Sequence, residues 1–109
     1  ISRVFQNLII NSIHSIQEAN VSVGKINVES SINNNYLNIS ILDNGVGLKY
    51  EKNELIKPYF TTKKRKGGSG LGLAIVEKIL FDHNAEFFIE NRNDEIEGAK
   101  VEIKFDIKI

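Results

Sequence analysis

The apolar residues in the first half of this chain follow two different periods. From residue 2 to about residue 19 they recur every three or four positions, which predicts one side of a helix: Phe5, Leu8, Ile9, Ile13 and Ile16, with the small polar Ser12 on the same side. Ser2 can cap the start of that helix. Residues 25–32 and 36–42 predict two strands, the second with a strict apolar–polar alternation, and the three asparagines at 33–35 supply the turn.

The second half repeats the order of one helix followed by two strands. Residues 71–82 are apolar on most sides, which predicts a buried helix. Phe87 and Ile89 begin a third strand, and residues 91–98 close the last hairpin. From residue 99 to residue 109 apolar side chains occupy every second position, which is typical of an antiparallel strand with one wet face. The pattern predicts an α+β fold, a two-layer sandwich with helices on one face of a mixed, mostly antiparallel sheet.

Residues 44–69 follow neither period and contain most of the chain's turn-forming residues. A short helix near residues 50–56 is the only regular element predicted inside this segment. So long an irregular segment in a small domain is typical of a lid or a binding loop. Glycines at both ends predict a lid that is hinged there.

The sequence Gly-Gly-Ser-Gly-Leu-Gly-Leu-Ala-Ile at 67–75 leads directly into the second helix. Glycines at a helix entrance let the backbone approach a bound group, and the first helical turn offers free N–H donors to phosphate. The loop is therefore a candidate phosphate cradle. The alternative is a turn that needs glycine only for its backbone angles.

Asn7 and Asn11 project four residues apart from one face of the first helix. Asparagine is a mediocre helix former, and an amide oxygen suits Mg²⁺ that already carries phosphate oxygens. The alternative is that the two amides satisfy nearby backbone groups. His14 lies three residues further along this helix and could face the phosphates, whereas His83, at the end of the second helix, is predicted to be structural.

Asp43 lies where the second strand ends, at a position predicted to be an exposed edge. A carboxylate there can accept hydrogen bonds from an exocyclic amine such as that of adenine, and Gly45 and Gly47 allow close approach. The alternative is a plain Asp-Asn-Gly turn.

Five basic residues fall within positions 57–66, next to the glycine loop. Lys63 or Arg65 could neutralise a terminal phosphate and its developing charge. A solvated basic loop is the alternative.

Composition narrows the function further. The 109 residues fit one domain, and 14 basic against 14 acidic residues argue against a nucleic-acid binder. No apolar run is long enough to span a membrane, and the absence of cysteine excludes disulfides. The chain starts at Ile1 and contains no methionine, which we expect of a piece of a longer protein.

Four motifs, in this order, resemble those of the ATP-binding catalytic domain of sensor histidine kinases of the nitrogen-regulation type. Asn-Leu-Ile-Ile-Asn-Ser at 7–12 is similar to the N box, and Asp-Asn-Gly-Val-Gly-Leu at 43–48 to the G1 box. Pro-Tyr-Phe-Thr-Thr-Lys at 58–63 is similar to the F box, and the glycine loop at 68–75 to the G2 box. The resemblance implies the Bergerat fold, shared with DNA gyrase B, and ATP with Mg²⁺ as cofactors.

The resemblance also implies roles for single residues. Asn11 would hold Mg²⁺ with Asn7 beside it in the phosphate region, and Asp43 would accept a hydrogen bond from the adenine amine. The other nucleotide contacts would come from His14, Gly45, Gly47, Phe60, Thr61, Thr62, Gly68, Ser69, Gly70, Leu71, Gly72 and Leu73. Asn84-Ala85 departs from a frequent Gly-Gly after the second helix.

The choice between kinase and hydrolase depends on one missing carboxylate. Gyrase-like relatives carry a glutamate near the metal-binding asparagine, whereas this chain has Asn7, and Glu18 lies seven residues beyond Asn11. Phosphoryl transfer is therefore favoured. The resemblance implies a separate dimerisation domain that carries the acceptor histidine, a response-regulator partner, a cytoplasmic location, and no contact with nucleic acid or directly with the membrane.

Two alternatives stay open from the sequence. One is a protein serine kinase of the anti-sigma-factor type. The other is an interaction module of the same fold that binds no nucleotide.

Overall fold

The computed structural model describes residues 2–48 and 72–107. Two helices and four strands lie within them, in the predicted order. The elements are α1 (Ser2–Ala19), β1 (Ile26–Asn33), β2 (Tyr36–Asp43), α2 (Gly72–Asp82), β3 (Ala85–Asn91) and β4 (Ala99–Asp106). The predicted short helix at 50–56 and residues 49–69 of the predicted lid lie outside the described residues.

The four strands form one sheet in the order β1-β2-β4-β3. All three neighbouring pairs are antiparallel, so the described strands contain none of the parallel pairing that a mixed sheet requires. β4 enters between β2 and β3, and its Val101 faces Ile41 across the strand pair. The last strand ends at Asp106 rather than at residue 109 because its partner in the register, Tyr36, is the first residue of β2.

Asparagines in the left-handed backbone region lie in three of the turns that join the described elements. Asn34 and Asn35 have φ angles of 52° and 69°, as the two central residues of a type I′ hairpin require. Asn20 and Asn84 have φ angles of 55° and 57° and follow the ends of the two helices. Asparagine tolerates this region better than most residues, which explains why Asn84 can take the position after α2 that often requires glycine.

His83 caps the end of α2, which confirms its predicted structural role. Its ring nitrogen Nδ1 lies 2.8 Å from the carbonyl oxygen of Ile79. A carbonyl oxygen only accepts hydrogen bonds, so Nδ1 carries the proton and donates. The backbone N–H of His83 donates to the same carbonyl and to that of Leu80.

The core lies between the helices and the sheet. α1 packs on β2 and on α2, and α2 packs on β3. Eight apolar side chains from both layers form the buried cluster: Val4, Leu8, Ile41, Val76, Leu80, Phe87, Val101 and Ile103. Two layers around one core confirm the predicted sandwich. Neither described helix is both long and apolar enough to cross a membrane.

β1 forms one edge of the sheet and lies beyond the cover of the helices. Val28 pairs with Ile41 in the strand register, yet Val28 is 59% exposed whereas Ile41 is 1% exposed. Ile32, further along β1, is 70% exposed. The helices therefore protect the central strands, and the candidate site lies at the end of one of them.

Candidate functional site

Asp43 is the last residue of β2 and is only 4% exposed. The expectation of an exposed edge position is therefore wrong, because β2 is a central strand flanked by β1 and β4. Its Oδ1 atom accepts hydrogen bonds from the backbone N–H groups of Gly45, at 2.9 Å, and Ala99, at 3.2 Å. Among the described residues Oδ2 accepts none, so the carboxylate is fixed through Oδ1 alone.

The turn that follows Asp43 is pressed against α1. The N–H of Val46 donates to the hydroxyl of Ser15 at 3.1 Å and to the Ser15 carbonyl oxygen at 3.3 Å. A Cβ atom on Gly45 would lie 2.5 Å from the Ser15 carbonyl carbon, so only glycine fits there. The described atoms closest to Gly45 are thus those of Ser15 on α1. This contact sets the distance between the turn and α1.

Asn44 fastens the same turn to the loop between α1 and β1. Its side-chain oxygen accepts a hydrogen bond from the N–H of Lys25 at 2.7 Å, and its side-chain nitrogen donates to the carbonyl oxygen of Val23 at 2.8 Å. The Asn44 N–H also donates to the Lys25 carbonyl at 3.2 Å. One side chain therefore satisfies two backbone groups of a separate loop.

Asn91 holds the far end of the turn. Its side-chain oxygen accepts from the N–H of Leu48, and its side-chain nitrogen donates to the Leu48 carbonyl at 3.1 Å. Gly47 has a φ angle of +80°, and a Cβ atom there would lie 2.7 Å from the Asn91 side-chain oxygen. Residues 43–48 are therefore anchored to α1, to the α1–β1 loop and to the end of β3.

The hairpin between β3 and β4 contacts the backbone carbonyl group of Asp43. The Nη1 group of Arg92 donates to the Asp43 carbonyl oxygen at 3.1 Å. Gly98 has a φ angle of +151° and passes so close that a Cβ atom would clash with that carbonyl. The Asp43 backbone and the Asp43 carboxylate are thus both fixed by this hairpin.

Asn7 and Asn11 lie on α1, one side of which docks against the turn at Ser15. With a rise of 1.5 Å per residue, Asn11 lies about 6 Å and Asn7 about 12 Å along the helix axis from Ser15. Both are half-buried and flank the buried positions Val4 and Leu8. Neither amide makes a hydrogen bond within residues 2–48 and 72–107, so the alternative that they satisfy nearby backbone groups finds no support there.

His14 lies on the same side of α1, three residues after Asn11. Its Nδ1 atom is buried and has no hydrogen-bond partner in the part of the chain that the structure describes. Those residues also contain no cluster of three or more His, Cys, Asp or Glu side chains that could hold a metal ion. A cation here would need amide oxygens together with oxygens of the ligand.

Several predicted site residues lie outside the described residues: Phe60, Thr61, Thr62, Lys63, Gly68, Ser69, Gly70 and Leu71. Of the glycine loop, Gly72 is the first residue of α2, one position after the predicted start. Leu73 is partly buried and packs against the core cluster. The glycine loop therefore leads directly into a helix, as predicted.

Sequence reasoning missed three side chains that fix the turn: Ser15, Asn91 and Arg92. Their partners lie 31, 43 and 49 residues away along the chain. The only local signal is that Asn91 and Arg92 directly follow the apolar alternation of β3, where a strand ends beside the site.

Comparison with known proteins shows the family to which the chain is related. The whole chain, residues 1–109, matches the family described as "Histidine kinase-, DNA gyrase B-, and HSP90-like ATPase". It is 36% identical over 109 residues to a "Putative sensor histidine kinase NtrY-like" of Rickettsia typhi, a match that covers 99% of this chain and 17% of the relative. It is also 36% identical over 112 residues to "Nitrogen regulation protein NtrY" of Azorhizobium caulinodans, covering 99% of this chain and 14% of that protein.

Comparison with solved structures agrees with the family match. The structure of the mycobacterial sensor histidine kinase MprB superposes with a TM-score of 0.79 at 21% identity, covering 94% of this chain and 69% of that one. At this identity the likeness concerns the fold alone. The chain spans about a sixth of the length of the two curated relatives. From the match over its full length, the chain belongs to the histidine kinase-, DNA gyrase B- and HSP90-like ATPase family.

Proposed function

We propose that this chain binds ATP with Mg²⁺ and donates the γ-phosphoryl group to a histidine on a separate dimerisation domain of a two-component sensor kinase. A response regulator would then receive the phosphoryl group. Because the substrate is ATP, the domain would work in the cytoplasm. The 36% identity to a protein named a putative sensor histidine kinase supports this choice within the family.

The observation that carries the proposal is the fixed carboxylate of Asp43. Two backbone N–H groups hold Oδ1, and Oδ2 is left to accept a hydrogen bond from a ligand. An adenine amine is a donor, so it matches an oxygen that can only accept. With the turn anchored at three points, little ordering is needed on binding, which favours affinity.

The side-chain amides of Asn7 and Asn11 on α1 suit the phosphate end of the nucleotide. From Ser15, beside the Asp43 turn, Asn11 and Asn7 follow at successive turns in one direction along the helix. Asn11 would coordinate Mg²⁺ through its side-chain oxygen, with Asn7 and His14 beside the phosphates. When bound, Mg²⁺ would neutralise part of the phosphate charge that develops during transfer.

The absence of a carboxylate close to Asn11 on α1 favours transfer to a protein group over hydrolysis. Glu18 is the only acidic residue of α1, and it lies about 10 Å along the helix axis from Asn11. An acceptor imidazole is itself a nucleophile, so the domain needs only to bind and orient the nucleotide. Lys63 would approach the γ-phosphate from the undescribed segment.

The first test is made on the chain by itself. We expect calorimetric titration with a non-hydrolysable ATP analogue and Mg²⁺ to show binding, and incubation with labelled ATP to show little or no phosphohistidine. Addition of the dimerisation domain of the same protein should restore labelling. Failure to bind nucleotide would point to an interaction module, and transfer to a serine of a partner protein would point to the serine-kinase alternative.

A second prediction concerns Asn11. In Asn11→Ala the metal loses an oxygen ligand, so the affinity for the ATP analogue with Mg²⁺ should fall about tenfold or more, the equivalent of about 1.4 kcal/mol. The affinity measured with excess EDTA should change less than about twofold.

Gln17→Ala is the matched control, because Gln17 is an exposed amide on the same helix. It should leave both affinities unchanged. A drop of equal size in EDTA and in Mg²⁺ would contradict the metal role of Asn11.

A further inference from the structure

The side chain of Arg92 is 8% exposed, although it starts the hairpin between two strands. Its Nε and Nη2 groups donate to the two carboxylate oxygens of Asp94 at 3.1 and 2.7 Å. Such a two-point contact fixes the plane of the guanidinium group as well as its position. The remaining terminal group, Nη1, then points at the Asp43 carbonyl oxygen, 3.1 Å away.

Asp94 is itself fixed. Its Oδ1 accepts the N–H of Ile96 at 3.3 Å within the hairpin, and the Arg92 N–H donates to the Gly98 carbonyl oxygen at 2.9 Å. A continuous chain of contacts therefore runs from the hairpin, through Asp94 and Arg92, to the backbone of Asp43. The side chain of Asp94 is 48% exposed, so one end of this chain faces solvent.

The charges of Arg92 and Asp94 also stabilise the contact between the two side chains. The hydrogen bond to Asp94 raises the pKa of Arg92 above its ordinary value, and the Asp43 carboxylate contributes to the same shift. The same hydrogen bond lowers the pKa of Asp94. Both groups are therefore charged at neutral pH, and a positive charge lies near the carboxylate that is to accept the amine.

The Asp43 carboxylate has little room to adapt if its backbone moves. Its Oδ1 is bonded to Ala99, the residue that follows the hairpin, and to Gly45 in the turn. A hydrogen bond prefers an N–H···O angle above about 150° and weakens steeply below about 120°. A small rotation of the Asp43 peptide would therefore misalign Oδ2 with the amine while leaving the rest of the nucleotide contacts in place.

We propose that Arg92 is a positioning residue for Asp43, and that the Arg92–Asp94 pair sets how strongly the site prefers adenine over purines that lack the 6-amino group. The inference rests on the proposed function, since it assigns Asp43 to the adenine amine. Arg92 touches no substrate in this role and acts through the Asp43 backbone.

The test compares two nucleotides on the intact protein at neutral pH. One is a non-hydrolysable ATP analogue, and the other is the matching analogue of purine riboside triphosphate, which lacks only the amine. In Arg92→Met, which keeps an unbranched apolar stem, the affinity for the ATP analogue should fall about tenfold and that for the purine analogue less than about twofold. Asp94→Asn should act in the same direction, by about threefold, because the amide keeps one acceptor oxygen for Arg92 whereas its NH₂ group cannot accept the second bond.

Glu97→Gln is the control, because it removes an exposed charge from the same hairpin. It should leave both affinities within about twofold of the wild-type values. Equal losses for both nucleotides in Arg92→Met would show a general structural role and overturn the proposal, as would no loss for either.

If Arg92→Met does not fold, Asp94→Asn decides in the same way, since Asp94 is half-exposed. A wild-type protein that binds both nucleotides equally well would instead overturn the assignment of Asp43, and with it the adenine part of the proposed function. The two failures are therefore distinguishable.

Discussion

Asp43→Asn is expected to lower the affinity for an ATP analogue by about a hundredfold or more while changing the melting temperature very little. The asparagine oxygen can replace Oδ1 and still accept the N–H groups of Gly45 and Ala99. Its NH₂ group then stands where Oδ2 was, so a donor meets the donor of the adenine amine. Calorimetric titration and thermal unfolding on the same preparations measure the two effects.

Asp43→Ala provides the comparison. It leaves the two backbone N–H groups in a buried place without their acceptor, at a cost of about 1–3 kcal/mol each. We therefore expect Asp43→Ala to lose stability as well as binding, whereas Asp43→Asn loses binding alone. Binding of the ATP analogue to Asp43→Asn with wild-type affinity would refute the role of this carboxylate.

Gly98→Ala is expected to destabilise the fold by about 3 kcal/mol or more and to weaken nucleotide binding with it. A Cβ atom at Gly98 would lie 1.9 Å from the Asp43 carbonyl oxygen and 2.8 Å from its carbonyl carbon, and both are backbone atoms. The φ angle of +151° is also rare for a residue with a side chain. In a domain of this size such a loss lowers the melting temperature by about 12 °C or more.

Gly24→Ala is the matched control. Its Cβ atom would lie 2.5 Å from Cγ2 of Ile16, a half-buried side chain that can shift, and the Gly24 φ angle is not in the left-handed region. We expect a loss of about 1 kcal/mol or less, because reduced freedom of the unfolded chain offsets part of the clash. Equal melting temperatures for Gly98→Ala and the wild type would contradict the close contact at Asp43.

The elements were predictable from the sequence because each has a local cause. The alternation in β2 and β4 follows from the two-residue period of a strand, and the paired asparagines at 34–35 suit a type I′ turn. The strand order was not predictable in the same way. Nothing in either alternation tells whether β2 pairs with β3 or with β4, since that depends on how both helices cover the sheet.

The residues of the candidate site also fall into those with a local sequence signal and those without one. Asp43 and the glycines around it belong to a short motif whose residue types suggest a chemistry, so they could be proposed from the sequence alone, and their role in binding stays a prediction. Sequence reasoning placed Asp43 at an exposed edge because the insertion of β4 beside β2 was not visible. Ser15, Asn91 and Arg92 are ordinary residue types at strand and helix ends, and only their distant contacts give them a function.

The anchoring of Asn44 also affects the chemical durability of the protein. An asparagine followed by glycine deamidates when the next backbone nitrogen attacks its side-chain carbonyl carbon, which closes a five-membered ring. Here that nitrogen, of Gly45, donates to Asp43, and both ends of the Asn44 amide are bonded to the α1–β1 loop. Ring closure requires these bonds to break, so the hydrogen bonds that anchor residues 43–48 also slow deamidation of Asn44 while the chain stays folded.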